Sequence, residues 1–117
     1  MPSLFCLILE DEPFIAMELA DAFEEAGYAL LGPFATCARA LSALETQTPS
    51  IAIVDLHVND GSCLPVFAKL RSLGVPIIVY SGQNAEYHPD FLEAVWLNKP
   101  STSATIVQAA KQLQAGP

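Results

Sequence analysis

Short apolar runs alternate with stretches of helical periodicity along most of this chain. Five runs are too short for helices and rich in β-branched or aromatic residues, which predicts buried strands at residues 4–9, 28–31, 51–54, 76–80 and 95–97. Apolar residues recur at helical spacing in three stretches between these runs and in one after the last, which begin near Pro13, Thr36, Ser62 and Ser101 or Thr102. Strands that alternate with helices predict an α/β fold, with a parallel sheet and helices on both of its faces.

Two places interrupt this alternation. The second strand is expected to close at Gly32-Pro33, because this pair is typical of turns. Residues 83–94 have little helical periodicity, and Pro89 breaks them, so only a short helix at about Pro89–Glu93 is expected there.

Length and charge narrow the class of protein. The 117 residues suit one domain, expected to span residues 1–117, and no apolar run approaches the ~18 residues that cross a membrane. The N-terminus lacks the pattern of a secretion signal, so a cytoplasmic protein away from membranes is expected. A net charge of −8 argues against nucleic-acid binding and is compatible with a metal cation or a basic partner protein. The three widely spaced cysteines predict buried, reduced thiols.

Polar residues follow four of the five predicted strands, at the point where each strand ends. The first strand leads into Glu10 and Asp11, the third into Asp55, the fourth into Ser81 and the fifth towards Lys99. Because the carboxyl ends of parallel strands meet at one edge of a sheet, these side chains are expected to converge. Clustered carboxylates repel one another unless a cation lies among them, and hard oxygen ligands suit Mg²⁺. A hydroxyl and an ammonium beside them suit a phosphoryl group.

The motifs at these strand ends resemble those of a known family. Residues 9–13 read Leu-Glu-Asp-Glu-Pro, residues 54–56 Val-Asp-Leu, residues 80–82 Tyr-Ser-Gly and residues 98–100 Asn-Lys-Pro. Together, in this order, they resemble the receiver domain of two-component response regulators over essentially the whole chain. The resemblance implies a five-stranded, doubly wound sheet in the flavodoxin-like order 2-1-3-4-5, with a fourth helix that is short or broken here.

The resemblance also implies a metal site. Asp11 and Asp55 would hold Mg²⁺ directly, together with the backbone carbonyl of His57. Glu10 would act through a bound water, with a longer side chain than the Asp more common in the family.

The resemblance further implies roles in phosphoryl transfer. Asp55 would be the phosphoacceptor, Lys99 would pair with the phosphoryl oxygens, and Ser81 would move to bond one of them. Trp96, three residues before Lys99, falls at the aromatic switch position of the family. The chain departs from the family at two positions after Asp55. Asn59 stands where the family often has a Pro, and Cys63 stands where it usually has a Gly.

Several of these residues have simpler interpretations. Acids at residues 10–12 are typical of helix N-termini, where the helix dipole favours negative charge. Trp96 is also interpreted as a half-buried packing residue. Phe14 and Met17 lie off the predicted apolar stripe of the first helix, one turn from the acids. They are either ordinary exposed residues or a docking patch for a partner.

The sequence is therefore interpreted as a stand-alone receiver domain, a phosphoacceptor rather than an enzyme. Its expected partners are a histidine kinase or histidine phosphotransfer protein and a downstream protein, and it is expected to be a monomer or weak dimer. One alternative is a receiver-like interaction module that works without phosphorylation. Another is a phosphatase with an aspartyl nucleophile, but such enzymes commonly need a second acid where His57 stands. A flavin-binding domain would need a Ser/Thr/Gly-rich loop after the first strand, where acids are found.

Overall fold

The computed structural model describes residues 4–58, 60–82 and 94–115. Five parallel strands form one sheet in the order β2-β1-β3-β4-β5, as expected. The strands are β1 (Phe5–Leu9), β2 (Ala29–Phe34), β3 (Ile51–Val54), β4 (Ile77–Ser81) and β5 (Val95–Asn98). The helices in the described part of the chain are α1 (Pro13–Glu25), α2 (Cys37–Leu44), α3 (Leu64–Ser72) and α4 (Ser103–Ala115). The predicted short helix at about Pro89–Glu93 lies outside the described residues.

Two apolar cores lie on opposite faces of the sheet. Alternate residues of a strand point to opposite faces, so Leu7 and Leu9 enter one core while Cys6 and Ile8 enter the other. The first core is closed by α2 and α3, and the second by α1 and α4. This arrangement explains the unbroken apolar runs of the central strands and confirms the doubly wound fold.

The helix starts follow the capping residues of the sequence in two of the predicted cases. The side chain of Thr36 accepts a hydrogen bond from the N–H of Arg39 at 3.2 Å, and Thr102 accepts one from Thr105 at 3.1 Å. At α3 the prediction was one residue early, since the N-cap is Cys63 and Ser62 instead accepts from the N–H of Leu64 at 3.3 Å.

The expected end of β2 at Gly32-Pro33 was wrong, because the strand continues to Phe34. β2 lies at the edge of the sheet, where a proline without an N–H is tolerated. The pairing with β1 shifts register between Leu7 and Leu9, at the level of this pair. Gly32 has φ +101°, and a Cβ there would lie 2.8 Å from the backbone nitrogen of Phe34. Only glycine fits this irregular step of the strand.

The connection between β3 and α3 is longer than those that follow β1, β2 and β5. Within it, His57–Val58 and Gly61–Ser62 form a small antiparallel pair. Among the described residues, no helix is long and apolar enough to cross a membrane.

Candidate functional site: an acidic cluster with a lysine

The ends of β1 and β3 bring three carboxylates together. The N–H of Asp55 donates to the carbonyl of Leu9 at 3.0 Å, so the segments that follow β1 and β3 leave the sheet side by side. Carboxylate oxygens of Glu10, Asp11 and Asp55 all lie within 4.8 Å of one another. Glu10 is only 3% exposed and Asp55 only 8%, whereas Asp11 is partly exposed. The predicted convergence of these acids at one edge is therefore observed.

The irregular step in β2 helps to fix Glu10. Beyond Gly32, the carbonyl of Phe34 accepts a hydrogen bond from the N–H of Glu10 at 2.9 Å. The side chain of Glu10 also accepts from the N–H of Glu12 at 3.0 Å. Both the backbone and the carboxylate of Glu10 are thus held at the start of the loop.

Lys99 places its ammonium between two of the acids. Its Nζ lies 2.7 Å from Oε1 of Glu10 and 2.8 Å from Oδ2 of Asp55. The N–H of Lys99 donates to the carbonyl of Ser81 at 2.9 Å, which extends the pairing of β5 with β4 to this residue. The Nζ also lies 5.6 Å from the centre of the Tyr80 ring. The Tyr80 hydroxyl in turn accepts from the N–H of Ser101 at 3.0 Å, which holds the turn after Lys99.

Burial and charge act in opposite directions on the titration of these groups. Burial raises the pKa of Glu10 above its ordinary value, and the hydrogen bond from Lys99 opposes this effect. Burial alone would lower the pKa of Lys99, but its hydrogen bonds with Asp55 and Glu10 outweigh that effect, so the pKa is raised. Lys99 is therefore a stable cation within the site.

The acids at residues 10–12 divide between two functions. Glu12 is the N-cap of α1, where its side chain accepts from the N–H of Phe14 at 3.1 Å. The helix-terminal interpretation therefore applies to Glu12. Glu10 and Asp11 face the cluster with Asp55 instead.

The donor set of this cluster suits a divalent cation. When the three carboxylates are ionised, the single ammonium of Lys99 leaves two negative charges, which one Mg²⁺ would balance. Carboxylate oxygens are the hard ligands that Mg²⁺ prefers, and it commonly keeps several waters. The partial exposure of Asp11 gives such an ion a solvent-facing side.

Ser81 ends β4 at this edge without joining the cluster, and Trp96 lies within β5, opposite Val79. The Ser81 side chain is buried, and its hydroxyl donates to the carbonyl of Gly82 at 3.2 Å. Trp96 is half-buried and packs against the core under α2 and α3, as its packing interpretation expects. The backbone of His57 lies in the short strand opposite Ser62. The switch roles of Ser81 and Trp96 and the ligand role of His57 stay predictions.

Phe14 and Met17 are on the outer face of α1. Phe14 is 80% exposed and Met17 is 57% exposed, although both are large apolar residues. They follow the acidic cluster by less than two helical turns. Their use as a docking patch stays a prediction.

Contacts of the connection after Asp55 were missed by the sequence reasoning. The thiol of Cys63 donates to the backbone carbonyl of Asp55 at 2.6 Å, and the thiol of Cys37 donates to the carbonyl of Ser62 at 3.4 Å. The carboxylate of Asp60 accepts from the N–H groups of Cys37 and Ala38, at 2.7 and 3.1 Å. A hint was available for Asp60, since aspartate before glycine often caps nearby backbone N–H groups. No pattern pointed to the thiols.

The cysteines themselves are as predicted. Cys6, Cys37 and Cys63 are all free and buried. Burial raises the pKa of Cys63 to about 12 and that of Cys37 to about 11, so both thiols keep their protons near neutral pH.

Residues 6–111 match the family described as the response regulator receiver domain. This chain belongs to that family. The match confirms the resemblance stated from the four motifs and puts the chain among signalling domains of two-component systems rather than among enzymes.

Relatives of this receiver domain cover nearly all of it. SdrG from Sphingomonas melonis, solved in solution, is 31% identical, with a TM-score of 0.82 over 97% of this chain and 98% of that one. The receiver domain of PhyR from Erythrobacter litoralis is 26% identical, with a TM-score of 0.78 over 100% of this chain and 96% of that one.

A receiver protein from Sinorhizobium medicae, at 20% identity and a TM-score of 0.83, shows the shared fold over 97% of this chain and 96% of that one.

The chain is also similar to part of longer regulators. The phyllosphere-induced regulator PhyR of Methylorubrum extorquens is 32% identical over 112 residues, which are 88% of this chain and 42% of that protein. A Pseudomonas aeruginosa protein is 30% identical over 94% of this chain and 56% of its own length. The chain spans about half the length of the curated relatives that it matches.

Proposed function

We propose that this receiver domain accepts a phosphoryl group on Asp55 from a phosphohistidine of a partner protein. The observation that carries the proposal is the position of the Asp55 carboxylate. One of its oxygens lies within 4.8 Å of oxygens of Glu10 and Asp11, and Oδ2 lies 2.8 Å from the ammonium of Lys99, at the carboxyl edge of a parallel sheet. No other cluster of three candidate metal ligands occurs among the described residues.

The transfer step needs an ionised Asp55. One carboxylate oxygen attacks the phosphorus, the bond from phosphorus to the histidine nitrogen breaks, and that nitrogen keeps the electron pair and takes up a proton. The product is an acyl phosphate on Asp55. Lys99 is already at hydrogen-bond distance from the Asp55 carboxylate, and its ammonium balances the negative charge of the phosphoryl group added there. Ser81 exchanges its bond with Gly82 for one with a phosphoryl oxygen by rotation of its side chain.

The cluster also supports a role for Mg²⁺ in the proposal. Asp11 and Asp55 would hold the ion directly, together with the backbone carbonyl of His57, and Glu10 would act through a water. When bound, Mg²⁺ supplies positive charge for the phosphoryl oxygens. Glu10 is tied to Lys99 and to the N–H of Glu12, so it also fixes the lysine that faces Asp55.

The proposed donor is a histidine kinase or a histidine phosphotransfer protein, and Phe14 and Met17 form part of its docking surface. Their exposed apolar side chains lie near the acids, and a donor histidine must approach Asp55 closely. Burial of two such side chains is worth on the order of 2–4 kcal/mol, or roughly 30- to 1000-fold in affinity.

The docking surface is tested with the double variant Phe14→Ser, Met17→Ser. Transfer from the cognate kinase should slow sharply, while phosphorylation by a small donor stays near the wild-type rate. Leu4→Ser is the matched control, because Leu4 is also exposed but precedes β1, at the opposite edge of the sheet from the acids. A wild-type rate of transfer to the double variant would place docking elsewhere.

The proposed output is contact with a downstream protein, with the domain acting in the cytoplasm as a monomer or weak dimer. Phosphorylation would be reported by Ser81 and by the half-buried Trp96 at the far edge of the sheet. Three free cysteines fit a reducing compartment.

The experiment that tests phosphorylation is intact-mass measurement after incubation with acetyl phosphate and Mg²⁺. Wild type should gain the mass of one phosphoryl group, and Asp55→Asn should gain none. Phosphoryl addition to both proteins would show that the acceptor is a residue other than Asp55. Absence of addition to wild type would favour the alternative, an interaction module that works without phosphorylation.

A further inference from the structure

The backbone of Asp55 is held on both sides of its Cα atom. On one side, its N–H donates to the carbonyl of Leu9 in β1 at 3.0 Å. On the other side, Asp55 follows the last residue of β3, Val54. The thiol of Cys63 donates to that carbonyl, with Sγ 2.6 Å from the oxygen. The thiol and the carbonyl are in direct contact.

Cys63 is itself well anchored. Its N–H donates to the carbonyl of Leu56 at 2.9 Å, and its own carbonyl accepts from the N–H of Phe67 in the first turn of α3. It is fully buried, in the core beneath α2 and α3. The thiol therefore links the start of α3 to the peptide group that follows Asp55. In a dry setting the hydrogen bond has no competition from water.

From this geometry we infer that Cys63 is a positioning residue for Asp55. The direction of a side chain from its Cα follows from the two peptide planes that flank it, and Cys63 fixes the second of these planes. The Asp55 carboxylate must face Mg²⁺ on one side and Lys99 on the other. A fixed Cα helps to hold it in that position, and misplacement of reacting atoms is costly to the rate. The inference rests on the proposed function of Asp55, and it gives the thiol a role in both metal binding and phosphorylation.

The test compares Cys63→Ala, which removes the donor, with Cys63→Ser, which keeps a donor of similar size. Phosphorylation by acetyl phosphate at saturating Mg²⁺ should slow by about 5-fold in the alanine variant, the factor that one neutral hydrogen bond is typically worth. The serine variant should recover a rate within about 2-fold of wild type. Cys6→Ala is the matched control, because Cys6 is equally buried but lies in the opposite core and donates to Leu7.

A second readout does not depend on phosphorylation. Mg²⁺ titrations followed by the amide resonances of residues 55 and 56 should show weaker binding in Cys63→Ala than in wild type, Cys63→Ser or Cys6→Ala. If wild type takes no phosphoryl group, the proposed function fails, and the Mg²⁺ titration alone decides the inference about Cys63.

The inference is overturned by any of three results. One is a wild-type rate and wild-type Mg²⁺ affinity in Cys63→Ala. Another is an equal loss in Cys6→Ala, which would reflect general loosening of the core. The third is failure of Cys63→Ser to recover the rate, which would assign the effect to side-chain volume instead of the hydrogen bond.

Discussion

Two connections supply the acids of this site, and they are built differently. The β1–α1 junction, residues 10–13, is held by bonds between close neighbours, such as Glu10 with Glu12 and Glu12 with Phe14. The β3–α3 loop, residues 55–63, is held by contacts across longer stretches of the chain. Its Asp60 caps α2, more than 20 residues earlier in sequence, and its Cys63 returns to Asp55. In the first connection, bonds between neighbours add to the contacts of Glu10 with Phe34 and Lys99, whereas the second connection is held mainly by residues farther apart in sequence.

Lys99 joins the two connections, and its loss should have the largest effect. In Lys99→Met, the buried Glu10 and Asp55 would have no ammonium between them. We expect the free energy of unfolding to fall by about 3 kcal/mol, as when one partner of a buried ion pair is removed. Urea unfolding with and without Mg²⁺ measures this loss, and Mg²⁺ should restore part of it. Lys111→Met, on the exposed face of α4, is the control. Equal free energies of unfolding for Lys99→Met and Lys111→Met would mean that Lys99 contributes little to holding the two connections together.

Asp11→Asn should affect only the β1–α1 junction, where it should weaken the binding of Mg²⁺. Since even residues behind metal ligands usually contribute 10- to 100-fold to affinity, loss of a direct ligand should weaken Mg²⁺ binding by at least about 10-fold. Fluorescence of Trp96 or amide resonances can follow the titration. Glu12→Gln is the control, because it removes a neighbouring charge that caps the helix instead of facing the cluster. Unchanged affinity in Asp11→Asn would remove Asp11 from the site.

Glu12→Ala tests the local character of the junction. Loss of an N-cap acceptor should cost about 1 kcal/mol of stability, measured by urea unfolding. Glu12→Gln keeps an acceptor and should retain most of it. Amide exchange of Asp55 and Cys63 should not change beyond this global effect. A selective increase in exchange within the β3–α3 loop would contradict the separation of the two connections.

Asp60→Ala tests the distant character of the β3–α3 loop, with the smallest expected effect on stability because Asp60 is exposed. The N–H groups of Cys37 and Ala38 hold the pKa of Asp60 below its ordinary value. A lowered folded-state pKa gives stability that is present above the unfolded pKa of about 4 and is lost as pH falls through the folded pKa.

The stability difference between wild type and Asp60→Ala should therefore be present at about pH 7 and shrink as the pH falls below the unfolded pKa of about 4. Amide exchange at Cys37 and Ala38 should rise selectively in the variant. The stability of Asp60→Asn, which keeps one carbonyl acceptor, should lie between those of wild type and Asp60→Ala. A stability difference that is independent of pH would contradict the role of the carboxylate as a cap.

The same contrast explains what the sequence could predict. Apolar runs and capping residues such as Thr36 are local signals, and they led to the correct succession of strands and helices and to helix starts within about a residue. The order of the strands within the sheet came from the resemblance to the receiver family. The acids at strand ends could be placed together because parallel strands share one carboxyl edge. The continuation of β2 through Gly32-Pro33 was missed because it depends on the edge position of that strand.

Contacts that depend on tertiary proximity left no readable pattern. A thiol can donate to any carbonyl within reach, so Cys63 looked like core filler until the loop geometry brought it to Asp55. Likewise, the cap that Asp60 provides for α2 depends on how two separate connections pack together. Residue types alone did not distinguish Glu12 from Glu10 and Asp11, whereas their hydrogen bonds do.

The most direct measurement of the central claim is the location of the phosphoryl group within the chain. After incubation with acetyl phosphate and Mg²⁺, borohydride reduction converts an aspartyl phosphate to homoserine, which peptide mass spectrometry can locate. We predict modification at Asp55 and at no other acid, with the yield falling in Lys99→Met and in the absence of Mg²⁺. Modification at Asp11 or Glu10, or none at any acid, would contradict the assignment of Asp55 as the phosphoacceptor.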